Sequence, residues 1–142
     1  MTDPPMTRLP VVLALLARVA LAAVMLVAGT AHLVDTTEFH GQLPPWVPAR
    51  DAVIVVSGVV ELAFGVALLL GSRRLRPLVG LALAAFFVAV FPGNVYQWLA
   101  GTDAFGLDTD RARLLRLPFQ PVLVVWALWC TGAWTWWQQR RT

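Results

Sequence analysis

Apolar residues fall in four long runs, separated by short polar or Pro-rich segments. The runs predict helices over about 9–34, 52–71, 77–100 and 117–137. Each has roughly the 20 residues that a helix rising about 1.5 Å per residue needs to cross a hydrocarbon core of about 30 Å. Asp51 to Gly71 (DAVIVVSGVVELAFGVALLLG) has one carboxylate, Glu61, near its middle. A charge at that depth is costly, so Glu61 should face a partner or a cavity. Leu9 to Val34 is too long for a secretory signal and is interrupted by Arg18, so it reads as a retained first span.

Within the runs, small and polar residues recur at helical spacing. Arg18, Ala22, Met25, Gly29 and His32 form one face of helix 1. The matching faces are Ile54, Gly58, Glu61 and Gly65, with Ser57 beside them; Gly80, Ala84, Phe87, Phe91 and Asn94; and Gln120, Val124, Ala127 and Thr131. Small residues allow close helix approach in a membrane. Three stripes end in a polar group at the outer side, His32, Asn94 and Gln120. The pattern predicts a bundle packed tightly below, with a polar pocket opening outward beneath the Pro44-Pro45-Trp46 loop, closed by Trp46 and with Tyr96 nearby.

The connections predict the rest. Met1 to Arg8 should be loosely ordered and cytoplasmic. Asp35 to Arg50 contains Pro44, Pro45 and Pro48, which exclude a regular helix there. Pro92-Gly93 should kink or break helix 3 near its far end. Gly101 to Arg116 reads as a polar loop.

The fold class is therefore all-α: a polytopic membrane protein, a single domain over 1–142 built as a four-transmembrane-helix bundle. The chain of 142 residues is 58% apolar and only 13% charged, too few charges for a soluble surface. All 11 basic residues are Arg. The isoelectric point near 10.4 invites a nucleic-acid reading, but the arginines mark the ends of apolar runs, so no nucleic-acid partner is expected. Arg8, Arg73, Arg74, Arg76, Arg140 and Arg141 lie on one side, and Arg50, Arg111, Arg113 and Arg116 on the other. Both termini are then cytoplasmic, in a multi-pass protein of the cytoplasmic membrane. Trp134, Trp136 and Trp137 mark the inner interface.

Arg18 lies nine residues above Leu9 and Glu61 ten before Gly71. Both are thus about 14–15 Å from the cytoplasmic boundary, and opposite charges at one depth are expected to pair. The pair is either a structural pin or a site where Glu61 exchanges a proton. His40 reads as a solvated loop residue. No metal site is expected, because the spacing of His32, Asp35, Glu38 and His40 fits no specific ligand pattern. The single cysteine, Cys130, allows neither an internal disulfide nor a Cys-x-x-Cys pair and reads as inert packing.

Six segments together resemble the DoxX family of membrane proteins: Arg18 in helix 1, Ala28-Gly29-Thr30-Ala31-His32, Leu43-Pro44-Pro45-Trp46-Val47-Pro48, Ser57-Gly58-Val59-Val60-Glu61-Leu62, Phe91-Pro92-Gly93-Asn94-Val95-Tyr96 and Arg116-Leu117-Pro118-Phe119-Gln120. The resemblance implies a small four-helix accessory subunit of a membrane redox complex in sulfur or oxidative-stress chemistry. It would have protein partners and interact with quinone, without a redox centre of its own. In that reading Glu61 and Arg18 tune or relay protons, while His32, Trp46, Asn94, Tyr96 and Gln120 hold the ligand. Distant relatives imply the alternative of a non-catalytic scaffold or assembly chaperone. Bound lipid and a homo-oligomer are compatible with either.

Overall fold

The computed structural model describes residues 5–141, with side chains from Leu9 onward. It is helical: α1 (Pro5–Val34), α2 (Thr36–Phe39), a 3-10 turn (His40–Gln42), α3 (Arg50–Leu70), α4 (Arg76–Ala100), α5 (Asp110–Arg116), α6 (Phe119–Cys130) and α7 (Ala133–Arg141). Pro5 to Arg8 are part of α1 rather than loosely ordered; residues 1–4 lie outside the described residues. Three helical stretches are long and apolar enough to cross a membrane, Leu9–Val34, Arg50–Leu70 and Arg76–Ala100. A fourth span requires joining the Asp110–Cys130 segment to α7, which turns away from it by 72°. The expected straight fourth helix is therefore bent. Gly132 adopts φ +73°, a left-handed conformation that costs glycine little, and its N–H bonds back to Trp129 O at 3.1 Å, ending α6.

Two helix pairs dominate the packing, α1 with α3 and α4 with α6. The first pair is close because glycines face each other: a Cβ on Gly29 would lie 2.7 Å from Gly58 O, and one on Gly58 would lie 2.9 Å from Gly29 O. Leu21, Ala22, Met25, Leu68, Leu83, Phe87, Ala127 and Cys130 form the apolar core. Trp126 Nε1 ties α6 to α1 by donating to Ala17 O at 2.9 Å.

Three further expectations need correction. Pro92 does not break α4, which runs unbroken from Arg76 to Ala100. Proline at 92 removes only the donor to the carbonyl four residues back, at Val88, and the helix continues through it. The 101–116 loop ends in helix α5, whose Thr109 cap accepts from Ala112 N at 3.2 Å. Buried Arg113 anchors that loop on Asp103 (2.7 Å), Asp110 (2.8 Å) and Leu107 O (2.9 Å).

Arg18 and Glu61 do not pair. Gly29 packs on Gly58 and Leu62, and Gly65 packs on Ala22 and Leu26, so facing residues of α1 and α3 have numbers that sum to about 90. That register sets Glu61 level with Gly29, and Arg18 level with the end of α3 at Gly71. The two charges are offset by about ten residues, roughly 15 Å along the helices. Helix α1 extends past the level at which α3 ends, so depths counted from Leu9 and from Gly71 do not share an origin.

Candidate functional site

Four inward stripes and one loop converge on a cavity of about 500 Å³ at the end of the bundle that carries the α1–α3 connection. Helix α1 supplies Met25, Ala28 and His32, and α3 supplies Ile54, Ser57 and Glu61. Phe87 and Asn94 come from α4, Gln120 from α6 and Arg116 from the end of α5. Phe39, Gln42 and Trp46 come from the α1–α3 connection.

Helical spacing of 4 on α1 and α3 brings His32 opposite Gly58 and next to Glu61. His32 Nδ1 lies 2.8 Å from Glu61 Oε2 and 2.9 Å from Ala28 O. A proton on Nδ1 has two acceptors in reach, the Ala28 carbonyl one turn back and Glu61 Oε2. Glu61 Oε2 is buried beside this imidazole. Glu61 is 8% exposed. The arrangement suits a carboxyl that exchanges a proton with something in the cavity.

The second polar wall is a row of amides. Asn94 Nδ2 donates to Gln120 Oε1 at 3.0 Å, and Gln120 Nε2 donates to Phe87 O at 2.7 Å. The Gln42 amide has two neighbours. Turned one way, its nitrogen donates to Asn94 Oδ1 at 2.9 Å. Turned the other way, its oxygen accepts from Arg116 Nη2 and Nη1 at 2.8 and 3.0 Å. A guanidinium only donates, but the second orientation also sets the Gln42 oxygen 2.9 Å from Asn94 Oδ1, acceptor against acceptor, so neither orientation satisfies both neighbours while Asn94 Nδ2 donates to Gln120. Arg116 Nη1 also donates to Gln97 Oε1 at 3.0 Å. Among the described residues Arg116 has no carboxylate partner, so its charge is held by amides and by the Phe105 ring, 4.8 Å from its Cζ.

An aromatic chain joins the two walls. His32 stacks on Phe39 with centroids 3.6 Å apart, and Phe39 meets Phe105 edge-on at 4.8 Å. The α1–α3 connection is fastened over the site by three contacts. Phe105 N donates to Glu38 Oε2 at 2.6 Å, His40 Nε2 meets Asp51 Oδ1 at 2.6 Å, and Arg50 Nη2 donates to Leu43 O at 2.8 Å. His40 is thus engaged rather than simply solvated.

Of the residues singled out from sequence, His32, Glu61, Asn94, Gln120 and Trp46 line this cavity, and Arg18 and Tyr96 do not. Trp46 stands at the mouth, 80% exposed, and does not close it; buried Phe39 covers the His32 side instead. Gln42, Arg116 and Phe39 were not anticipated. Arg116 and Gln120 are four apart, the spacing of neighbours on one helix face, and that signal was available. Gln42 sits in a non-periodic segment that offers none. Among the described residues no three His, Cys, Asp or Glu side chains are grouped as metal ligands.

The chain belongs to the family described as Domain of unknown function (DUF8561), whose sequence profile matches residues 21–131. The matched stretch contains the cavity-lining residues and leaves out Arg18. No curated protein and no solved structure matches the chain.

Proposed function

We propose that this member of the DUF8561 family is a four-span, DoxX-like protein of the cytoplasmic membrane, with both termini inside, whose outer cavity binds a quinone head group for a membrane redox complex. One observation carries the reading: a single cavity of about 500 Å³ joins the His32–Glu61 pair to the Asn94–Gln120 amides and to Arg116. That volume and a mostly apolar lining with a few convergent polar groups are typical of small-molecule sites.

The residues present fit a quinone. Its carbonyl oxygens need donors, and Arg116 is a donor at one end of the cavity. Its ring needs apolar walls, and Phe39, Phe87, Ile54 and Met25 provide them. A bound quinone would supply coupled electron and proton chemistry. Glu61 Oε2, buried 2.8 Å from His32 Nδ1, is where this chain would hold the proton, and His32 holds that oxygen in place. Arg18 has no part in this, since it is about 15 Å from Glu61 along the bundle.

The test is a titration of purified protein with a short-chain ubiquinone, followed by tryptophan quenching. Trp46→Phe would identify the share of the signal from the cavity mouth. Saturable quenching in the wild type and its loss in Ser57→Phe, which fills the cavity, are expected. Equal titrations of the two proteins would refute the site.

A second reading is supported by the exposed Trp46 on its Pro-rich loop, a large aromatic available to a protein partner. In that reading the protein is a scaffold or assembly chaperone. A client would co-purify with it, and Trp46→Ala would release the client while Ser57→Phe would not.

A further inference from the structure

We propose that Arg18 anchors a binding site for the phosphate of an anionic phospholipid at the inner end of the bundle. The proposal rests on the membrane reading and is independent of what the outer cavity holds.

Arg18 is only 9% exposed. Among the described residues it makes no ion pair and no hydrogen bond, and its Nε is sealed without a partner. The charge that bears on it most is of the same sign, the guanidinium of Arg76. Among the described residues Arg76 itself reaches only a backbone oxygen, donating from Nε to Gly71 O at 3.2 Å. The α1–α3 register brings Arg18 to this same level, at the end of α3.

The described carboxylates lie elsewhere. Asp35, Glu38, Asp51, Asp103, Asp108 and Asp110 belong to the outer connections, and Glu61 is about ten residues away in register. Arg18 and Arg76 therefore act on each other from one end of the bundle, with no described carboxylate beside them. Such a pair is unfavourable unless an anion comes from outside the chain. Guanidinium matches phosphate oxygens in a two-pronged fork. At the inner end of a membrane helix, next to the basic turn Arg73, Arg74 and Arg76, the abundant anion is the lipid headgroup.

Free phosphate shares that chemistry. A second feature favours lipid: an apolar groove of about 540 Å³ lies along α6 and includes Ala17, the residue next to Arg18. It is lined by Val122, Val125, Trp126 and Trp129. A phosphate at Arg18 and an acyl chain in this groove are adjacent parts of one molecule.

The experiment uses full-length protein exchanged from vesicles of phosphatidylcholine and phosphatidylglycerol into mild detergent, with retained lipid counted by native mass spectrometry. The wild type is expected to keep phosphatidylglycerol in preference to phosphatidylcholine. Arg18→Gln should lower that retention about tenfold, the effect of losing roughly 1.4 kcal/mol of binding. Arg140→Gln removes the same charge from the same end and should retain the lipid, because Arg140 is placed on the Trp136 ring. Thermal stability should rise with phosphatidylglycerol and not with inorganic phosphate. Equal retention of the two lipids, equal loss in Arg140→Gln, or stabilisation by phosphate alone would each overturn the proposal. Should Arg18→Gln fail to fold, Arg76→Gln carries the same comparison, and unchanged retention there overturns it too.

Discussion

Replacing Gln120 with leucine removes the hinge of the amide wall while keeping the side chain's approximate size. Two hydrogen bonds go, the one Gln120 donates to Phe87 O at 2.7 Å and the one it accepts from Asn94 at 3.0 Å. Both amides are 8% exposed, so water does not replace them. Leaving a buried polar group unsatisfied costs about 1–3 kcal/mol. Asn94 Nδ2 bears that cost in full, while Phe87 O retains its place in the helix ladder. Leucine returns about 1 kcal/mol through its apolar surface, so a net loss of up to about 2 kcal/mol is expected. Asn94→Leu orphans the facing Gln120 oxygen in the same way. The double substitution replaces both partners with apolar groups and leaves neither orphan. It should therefore destabilise by less than the sum of the single changes, with a coupling of about 1–2 kcal/mol. The assay is reversible unfolding in mixed detergent–SDS micelles, read by tryptophan fluorescence. Additivity within about 0.5 kcal/mol would show that the two amides do not act as one unit and refute the reasoning.

Gly80→Ala places a Cβ 1.9 Å from Thr131 Oγ1, and the overpacking should cost about 1–3 kcal/mol; Thr131→Ala should recover part of it, and an equal loss in both backgrounds would contradict the contact. Arg18→Ala and Glu61→Ala should be additive in the same unfolding assay, since their register offset is roughly 15 Å; a coupling well above about 0.5 kcal/mol would restore the direct pair. Cysteines at Ser72 and Thr109, in a Cys130→Ser background, should label from opposite sides of sealed cells. Labelling of both from outside would refute the proposed topology.

The helices and their inward faces were legible because close packing imposes a regular spacing of small residues. Gly29, Gly58, Gly65 and Gly80 stand at the predicted positions because each meets another helix at van der Waals distance. What sequence spacing does not carry is the vertical offset between helices. The offset of α1 against α3 is set by which glycines interlock, and it exchanged the expected partner of Glu61, Arg18, for His32. The bend after α6 depends on one glycine, Gly132, in a run whose apolar composition continues straight through it. The cover over the site was illegible for a different reason. Phe39 and Gln42 come from a short helix and a 3-10 turn, where no period links a residue to the face it presents. The prolines pointed to Trp46 as the lid. The loop turns there instead, Val47 N bonding to Pro44 O at 3.1 Å, and leaves Trp46 at the mouth.

The most direct test of the central claim is native mass spectrometry of gently solubilised protein taken straight from its membrane, wild type beside Ser57→Phe. Binding of a quinone in the outer cavity predicts an adduct of quinone mass on the wild type and its disappearance when the cavity is filled. A wild type that carries no such adduct, or an adduct that survives in Ser57→Phe, would contradict it.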